Sequence, residues 1–237
     1  MRKALFITVA TVLLAALAVG CATQEPTVKL DDAKQRISYT IGLNIGRDFA
    51  SQEVEVDTTA LMAGVRDGLG GQKPRLSDEQ MLAEVKAFRE GMVAKQEAKI
   101  KALAEKNKTE GAAFLAKNAK ESGVIVRESG LQYKVLTEGT GPMPKADAIV
   151  SVHYRGTLLD GTEFDSSYER KEPLILPVGG VIPGWTEALT LMKEGSKWQL
   201  FIPAELAYGE EGAPPAIGPN AVLIFEVELL SAAAKME

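Results

Sequence analysis

The chain holds one histidine and one cysteine in 237 residues, and these shortages exclude most of the familiar site chemistries. A lone cysteine, Cys21, permits no intrachain disulfide. With His153 as the single imidazole there is no Cys/His set for zinc. No G-x-S-x-G elbow, phosphate loop or dinucleotide fingerprint occurs, so neither a metal nor a cofactor is expected. A dense Lys/Arg cluster is also missing. With a net charge of −5 and a pI ≈ 5.2, the balance argues against nucleic acid as the main partner. Proline is absent from Leu76 through Gly141, which leaves that span free to be helical. The length suits one large domain or two small ones.

What is present begins at the amino terminus. Arg2 and Lys3 precede an apolar run from Ala4 to Val19, too short for a membrane span but suited to a secretion signal. The run ends in "LAVGC". This resembles a bacterial lipobox, in which the cysteine is lipidated and becomes the new first residue. Ala18 stands where that motif usually has Leu, and an ordinary signal with a stray cysteine is the other reading. As a lipobox, residues 1–20 are a lipoprotein signal peptide and Cys21 anchors the mature chain to membrane lipid. By analogy with the lipoproteins that this motif resembles, Ala22 after the cysteine, rather than Asp, implies the outer membrane of a bacterial envelope, facing the periplasm.

Residues 21–30 read as a tether, and residues 31–76 as a helical domain. Ile37, Ile41, Ile45 and Phe49 recur every four residues. Asp57 can cap a second helix bearing Leu61, Val65 and Leu69, which "GGQKP" ends. So small a unit buries little alone, which points to a homodimer closed through residues 31–70. Residues 77–122 form a long linker helix opened by a capping box, Ser77 and Gln80. Met81, Val85, Phe88 and Met92 stripe its start. Beyond them Ala, Lys and Glu dominate, with only Ile100, Leu103, Phe114 and Leu115 as large apolar residues. A helix so polar all round is a solvent-crossing bridge or is not stably helical. We read it as a bridge, with Gly91 and Gly111 as weak points.

Over residues 123–237 the period changes. "LQYKVL", "AIVSVHYRGTLL", "KWQLFIP" and "AVLIFEVELL" read as strands between Gly/Pro/Asp turns. One helix interrupts them, with Pro183 at its start and Trp185, Ala188, Leu189 and Met192 at helical spacing. The fold class is therefore α+β, an antiparallel sheet wrapped on one short helix. Alternation sets Val150, Val152, Tyr154 and Leu158 on one strand face. His153 points the other way with Ile149, Ser151 and Arg155, so it lacks the neighbours of a catalytic histidine. Asp160-Gly161 reads as a hairpin turn. Glu163 and Asp165 share a strand face, as a glycosidase pair might, or are simply solvated. Asp165 has a candidate partner across the hairpin in Tyr154, since a buried tyrosine normally finds one.

Taken in order, "VHYRGTLLDGTEFDSS", "GGVIPGW", "LAYGEEGAPPAIGPNA" and "LIFEVELL" resemble the successive motifs of FKBP-type peptidyl-prolyl cis–trans isomerases. The helical amino-terminal half, through "SYTIGLNIGRDF" and the lipobox, is similar to the macrophage infectivity potentiator group. The resemblance implies an apolar pocket for a proline ring, lined by Tyr154, Phe164, Asp165, Val181, Ile182, Trp185, Tyr208, Ile217 and Phe225. Trp185 would floor it, with Phe164, Val181 and Phe225 as walls. The Ile182 N–H and the Tyr208 hydroxyl would hold peptide carbonyls, and Asp165, held by Tyr154, would face the twisting carbonyl carbon. Proline-containing, unfolded exported proteins are the implied substrates, and macrolide inhibitors a further candidate ligand. Leu174 replaces an aromatic residue of many relatives, and Ala213 stands where others carry histidine. Two other functions remain: a peptide-binding holdase with weak isomerase activity, and a hydrolase using Glu163 and Asp165.

Overall fold

The computed structural model describes residues 28–232. Cys21, the signal peptide and most of the tether lie outside the described residues. The chain divides into two compact units, one ending at Ser77 and one beginning at Asp78.

In the first unit, α1 (Ala33–Ser51) starts at Asp32, which accepts from the Gln35 N–H at 2.8 Å while Gln35 Oε1 accepts from the Asp32 N–H at 3.2 Å. This reciprocal pairing satisfies two donors that a helix start leaves orphaned. Asp57 caps α2 (Thr58–Leu69) by accepting from the Ala60 N–H at 2.9 Å. No residue of either helix is buried. Ile37, Ile41, Ile45, Leu61 and Val65 all stay exposed, so the apolar stripes foreseen in the sequence have no cover within their own unit.

The second unit opens with α3 (Asp78–Asn118), one unbroken helix of 41 residues. Seven antiparallel strands follow: β1 (Val124–Val126), β2 (Gln132–Thr137), β3 (Ile149–Thr157), β4 (Glu163–Ser166), β5 (Leu174–Pro177), β6 (Lys197–Ile202) and β7 (Leu223–Ser231). Their order is β1-β2-β6-β7-β3-β4, with β5 beside the first half of β3. Two helices interrupt the strands where one was expected: a four-residue α4 (Ser167–Arg170) directly after β4, and α5 (Pro183–Leu191). Pro183 at the first turn lacks only an N–H that would be unpaired there anyway. The inner face of α5 carries Trp185, Ala188 and Leu189 into a core with Val152, Leu200, Phe225 and Val227. Gly184 allows this approach, because a Cβ there would lie 2.5 Å from Ile202 Cγ2.

The last third of α3 is not solvent-crossing. Gly111 is buried, and a Cβ on it would stand 2.8 Å from Val222 Cγ2. It is a place of close approach rather than a weak point. Phe114 meets Phe201 with ring centroids 5.8 Å apart. Asn118 donates to Gln132 Oε1 at 2.9 Å, and Gln132 donates back to the Leu115 carbonyl at 3.0 Å. Earlier in the helix Leu82, Val85 and Phe88 remain exposed.

Candidate active site

The hairpin of β3 and β4 builds one side of the site. Leu158 N–H donates to the Thr162 carbonyl at 2.9 Å across the turn, Asp160 accepts from Thr162 N–H at 2.9 Å, and Gly161 takes φ +87°. This turn sets Gly156 opposite Asp165, which puts Asp165 near Tyr154. The Tyr154 hydroxyl donates to Asp165 Oδ2 at 2.5 Å. The other carboxylate oxygen accepts from Arg170 Nη1, and Arg170 Nη2 donates to the Tyr154 oxygen at 2.7 Å. Arg170 thus closes a three-membered ring of hydrogen bonds that the sequence pattern did not reveal. It arrives through α4 and the left-handed Lys171, φ 60°. Its one sequence signal is a cation five residues beyond Asp165.

Electrostatics follow from this ring. Burial pushes the Asp165 carboxyl up, but the bonds from Tyr154 and Arg170 together outweigh burial and hold it below the ordinary carboxylate value. Burial, then the bond to Asp165, pushes the Tyr154 phenol up against the opposing pull of Arg170. Asp165 is therefore an anion, and Tyr154 a neutral donor, across the neutral range.

Behind the ring lies a cavity of ≈ 500 Å³ lined by Tyr154, Phe164, Asp165, Leu174, Leu176, Gly180, Val181, Ile182, Trp185, Tyr208 and Phe225. Trp185 is 4% exposed. Its ring stands edge-on to Tyr154 and to Phe225, each with centroids 5.2 Å apart, and Phe164 stands edge-on to Phe225 at 5.5 Å. Edge-to-face packing of this kind fixes ring orientation. Gly156 makes it fit, since a Cβ there would lie 2.7 Å from both Phe164 and Phe225. The indole N–H of Trp185 is buried without a partner. Among the described residues, the Ile182 N–H and the Tyr208 hydroxyl make no hydrogen bond within the protein. Both line the cavity, so both are available to a peptide.

Of the nine lining residues expected, eight border this cavity; Ile217 does not. Its backbone pairs with Ala213 and its side chain, 5% exposed, packs into the core. His153 faces away, its Nδ1 2.9 Å from Ser167 Oγ and its ring stacked on Tyr168. Glu163 is ion-paired to Arg155 and does not border the cavity, so no carboxylate dyad forms. Leu174 and Leu176 make one wall aliphatic. Among the described residues, no group of three or more His, Cys, Asp or Glu side chains could hold a metal ion.

Residues 141–230 match the FKBP-type peptidyl-prolyl cis-trans isomerase family, and residues 34–135 match the domain amino-terminal to such isomerases. The outer membrane protein MIP of Legionella longbeachae is 41% identical over 229 residues, 97% of either chain. This chain belongs to the FKBP-type peptidyl-prolyl cis–trans isomerases. The FKBP-type 22 kDa isomerase of Escherichia coli K12 is 45% identical over 205 residues, 86% of this chain and 98% of that one. The crystal structure of FkpA from Escherichia coli superposes with a TM-score of 0.71 at 40% identity, covering 86% of this isomerase and 98% of FkpA. The isomerase reaction is rotation about an X–Pro amide, which breaks no covalent bond. An FKBP-type enzyme therefore needs no nucleophile.

Proposed function

We propose that the cavity over Trp185 receives the proline ring of an unfolded chain and accelerates rotation chiefly by withdrawing the amide from water. Rotation faces a barrier of about 18–20 kcal/mol set by amide resonance and takes roughly 10–100 s uncatalysed. Resonance separates charge, and water stabilises that charge. The twisted amide has less of it, so an apolar cavity disfavours the planar form relative to the twisted one. Removing about 7 kcal/mol corresponds to roughly five decades in rate. Val181, Phe164 and Phe225 wall the ring. The Ile182 N–H and Tyr208 hydroxyl hold peptide carbonyls, and the Asp165 anion sets a fixed field at the twisting carbonyl carbon.

The observation that carries this reading is the Asp165 carboxylate, with one oxygen taken by Tyr154 and the other by Arg170 at the wall of an aromatic cavity. A carboxylate so engaged serves as a fixed charge, not as a proton carrier. In a protease-coupled or NMR-exchange assay on proline peptides, Asp165→Leu and Tyr208→Phe should each lower kcat/KM by about tenfold, the worth of one charge-assisted or well-placed hydrogen bond. Complete loss in Asp165→Leu with the fold intact would make the carboxylate the principal catalyst and overturn desolvation. Trp185→Ala removes the floor and requires a thermal melt alongside, because Trp185 is also core.

The wider assignment is a lipid-anchored envelope protein acting on exported, proline-containing chains. Cys21 is the anchor, the outer membrane facing the periplasm its place, and residues 31–70 close a homodimer. The name of the Legionella longbeachae relative supports the place. The uncovered isoleucines of α1 support the dimer. Residues 1–20 are the signal, 21–30 the tether, 31–76 the dimerisation domain and 123–237 the isomerase domain proper. The exposed Leu82, Val85 and Phe88 of α3 favour an accompanying holding activity on unfolded chains. A macrolide would compete for the same cavity.

A further inference from the structure

The docked face of α3 is spaced by four residues, Leu103, Asn107 and Gly111, and what it meets is a loop running from Gly218 to Val222. A Cβ on Gly218 would lie 2.9 Å from Leu103 Cδ2 and 3.3 Å from Asn107 Nδ2, while Gly111 lies under Val222. At the centre, Asn107 Nδ2 donates to the Pro219 carbonyl at 2.8 Å, 112 residues away in sequence. The other limb of the same loop carries Tyr208. Asn220 N–H donates to the Gly209 carbonyl at 2.8 Å, and Ala213 and Ile217 exchange backbone bonds at 2.8 and 3.0 Å. One limb therefore rests on α3, and the other delivers Tyr208 to the cavity. Tyr208 is 43% exposed, so its own packing fixes it only loosely.

We propose that Asn107 is a positioning residue of the isomerase site. By holding the Pro219 carbonyl on α3, it sets the limb that Asn220 ties to Gly209, and so the place of the Tyr208 hydroxyl. The proposal rests on the reading of Tyr208 as a donor to a peptide carbonyl. It makes the end of α3 part of the substrate-binding apparatus rather than a spacer alone. The chain of contacts is short: one side-chain hydrogen bond, one peptide unit, one backbone hydrogen bond and one further residue.

The test uses the full-length protein in detergent with Asn107→Ala and with Asn107→Asp, which keeps the shape but sets an acceptor against the Pro219 carbonyl. Both should raise KM for proline peptides by about three- to tenfold, the factor a net hydrogen bond supplies. Loss of binding shared by ground and transition state leaves kcat within about twofold. Amide hydrogen exchange should quicken at Asn220 and Ile217 while Leu200 and Val227, in the central strands, stay protected. Adding Tyr208→Phe to Asn107→Ala should raise KM little beyond either change alone. Unchanged loop exchange in both Asn107 variants overturns the clamp. Loss of protection throughout the strands with KM unaltered assigns Asn107 a purely structural role and also overturns it. Additive KM effects in the double variant show that Asn107 does not act through Tyr208. If Tyr208→Phe alone leaves KM unchanged while loop exchange in Asn107→Ala quickens, the reading of Tyr208 fails rather than the clamp.

Discussion

At the scale of single residues, Asp165 shows how a half-exposed carboxylate is kept charged beside an aromatic cavity. Its folded value lies below the ordinary carboxylate value, so the anion persists as pH falls and is lost only below about 3.9, the value of an unperturbed Asp. Tyr154 moves the opposite way and keeps its proton past the usual phenol value of about 10. Isomerisation should accordingly be level from about pH 5.5 to 8, because Asp165 and Tyr154 keep one protonation state there. Stopped-flow rates across that range check it, and a bell-shaped profile with a limb near neutrality would indicate acid–base catalysis. The Tyr154–Asp165 pair was legible from sequence because an Asp-Gly turn fixes hairpin register, and register decides which side chains oppose. Arg170 was not. Its position depends on a one-turn helix and a left-handed residue, neither of which leaves a hydrophobic pattern. Ile217 entered the expected lining through motif resemblance alone, and a local bridge to Ala213 turns it into the core.

At the scale of elements, α3 divides by function along its length. A Cβ added to Gly91 would meet nothing within 4 Å, whereas one added to Gly111 would face Val222 at 2.8 Å. Gly91→Ala should therefore stabilise the protein by about 0.5–1 kcal/mol through helix propensity. Gly111→Ala should destabilise it by about 1–3 kcal/mol, since a buried valine must shift. Urea denaturation of the two variants, compared with wild type, measures both signs. The seam was invisible to hydrophobic periodicity for a physical reason. Where it meets the Gly218–Val222 loop, its contacts are made by Leu103, Asn107 and Gly111, and only the first registers as apolar. The strands of the sheet, by contrast, were readable because alternation and Gly/Pro turns mark them directly. α5 was readable too, from Pro183 and the spacing of Trp185, Ala188 and Leu189.

At the scale of the whole chain, the uncovered stripes of α1 and α2 predict self-association, and the docked end of α3 determines where the chain can be cut. A fragment of residues 100–237 retains Leu103, Asn107 and Gly111. It should be monomeric by light scattering and match the full chain on short peptides. On a proline-limited refolding protein it should lose most of its efficiency, because paired sites raise the effective concentration of the second contact. Equal refolding by fragment and full chain would reduce the amino-terminal half to a spacer. The strand order carries one more consequence, concerning time. β7 occupies the middle of the sheet, between β6 and β3, yet it is synthesised after every other strand of the described residues. Until residues 223–231 are available, β3 and β6 have no common neighbour, and the β3–β7 pairing must then join strands about 70 residues apart in sequence. Chains dominated by such non-local pairs close slowly. A ribosome-stalled chain ending at residue 222 should thus remain open to protease, and resistance should come abruptly once β7 clears the tunnel. A newly made copy would stay unfolded until β7 has been made, and the folding helper would itself be among the slow folders.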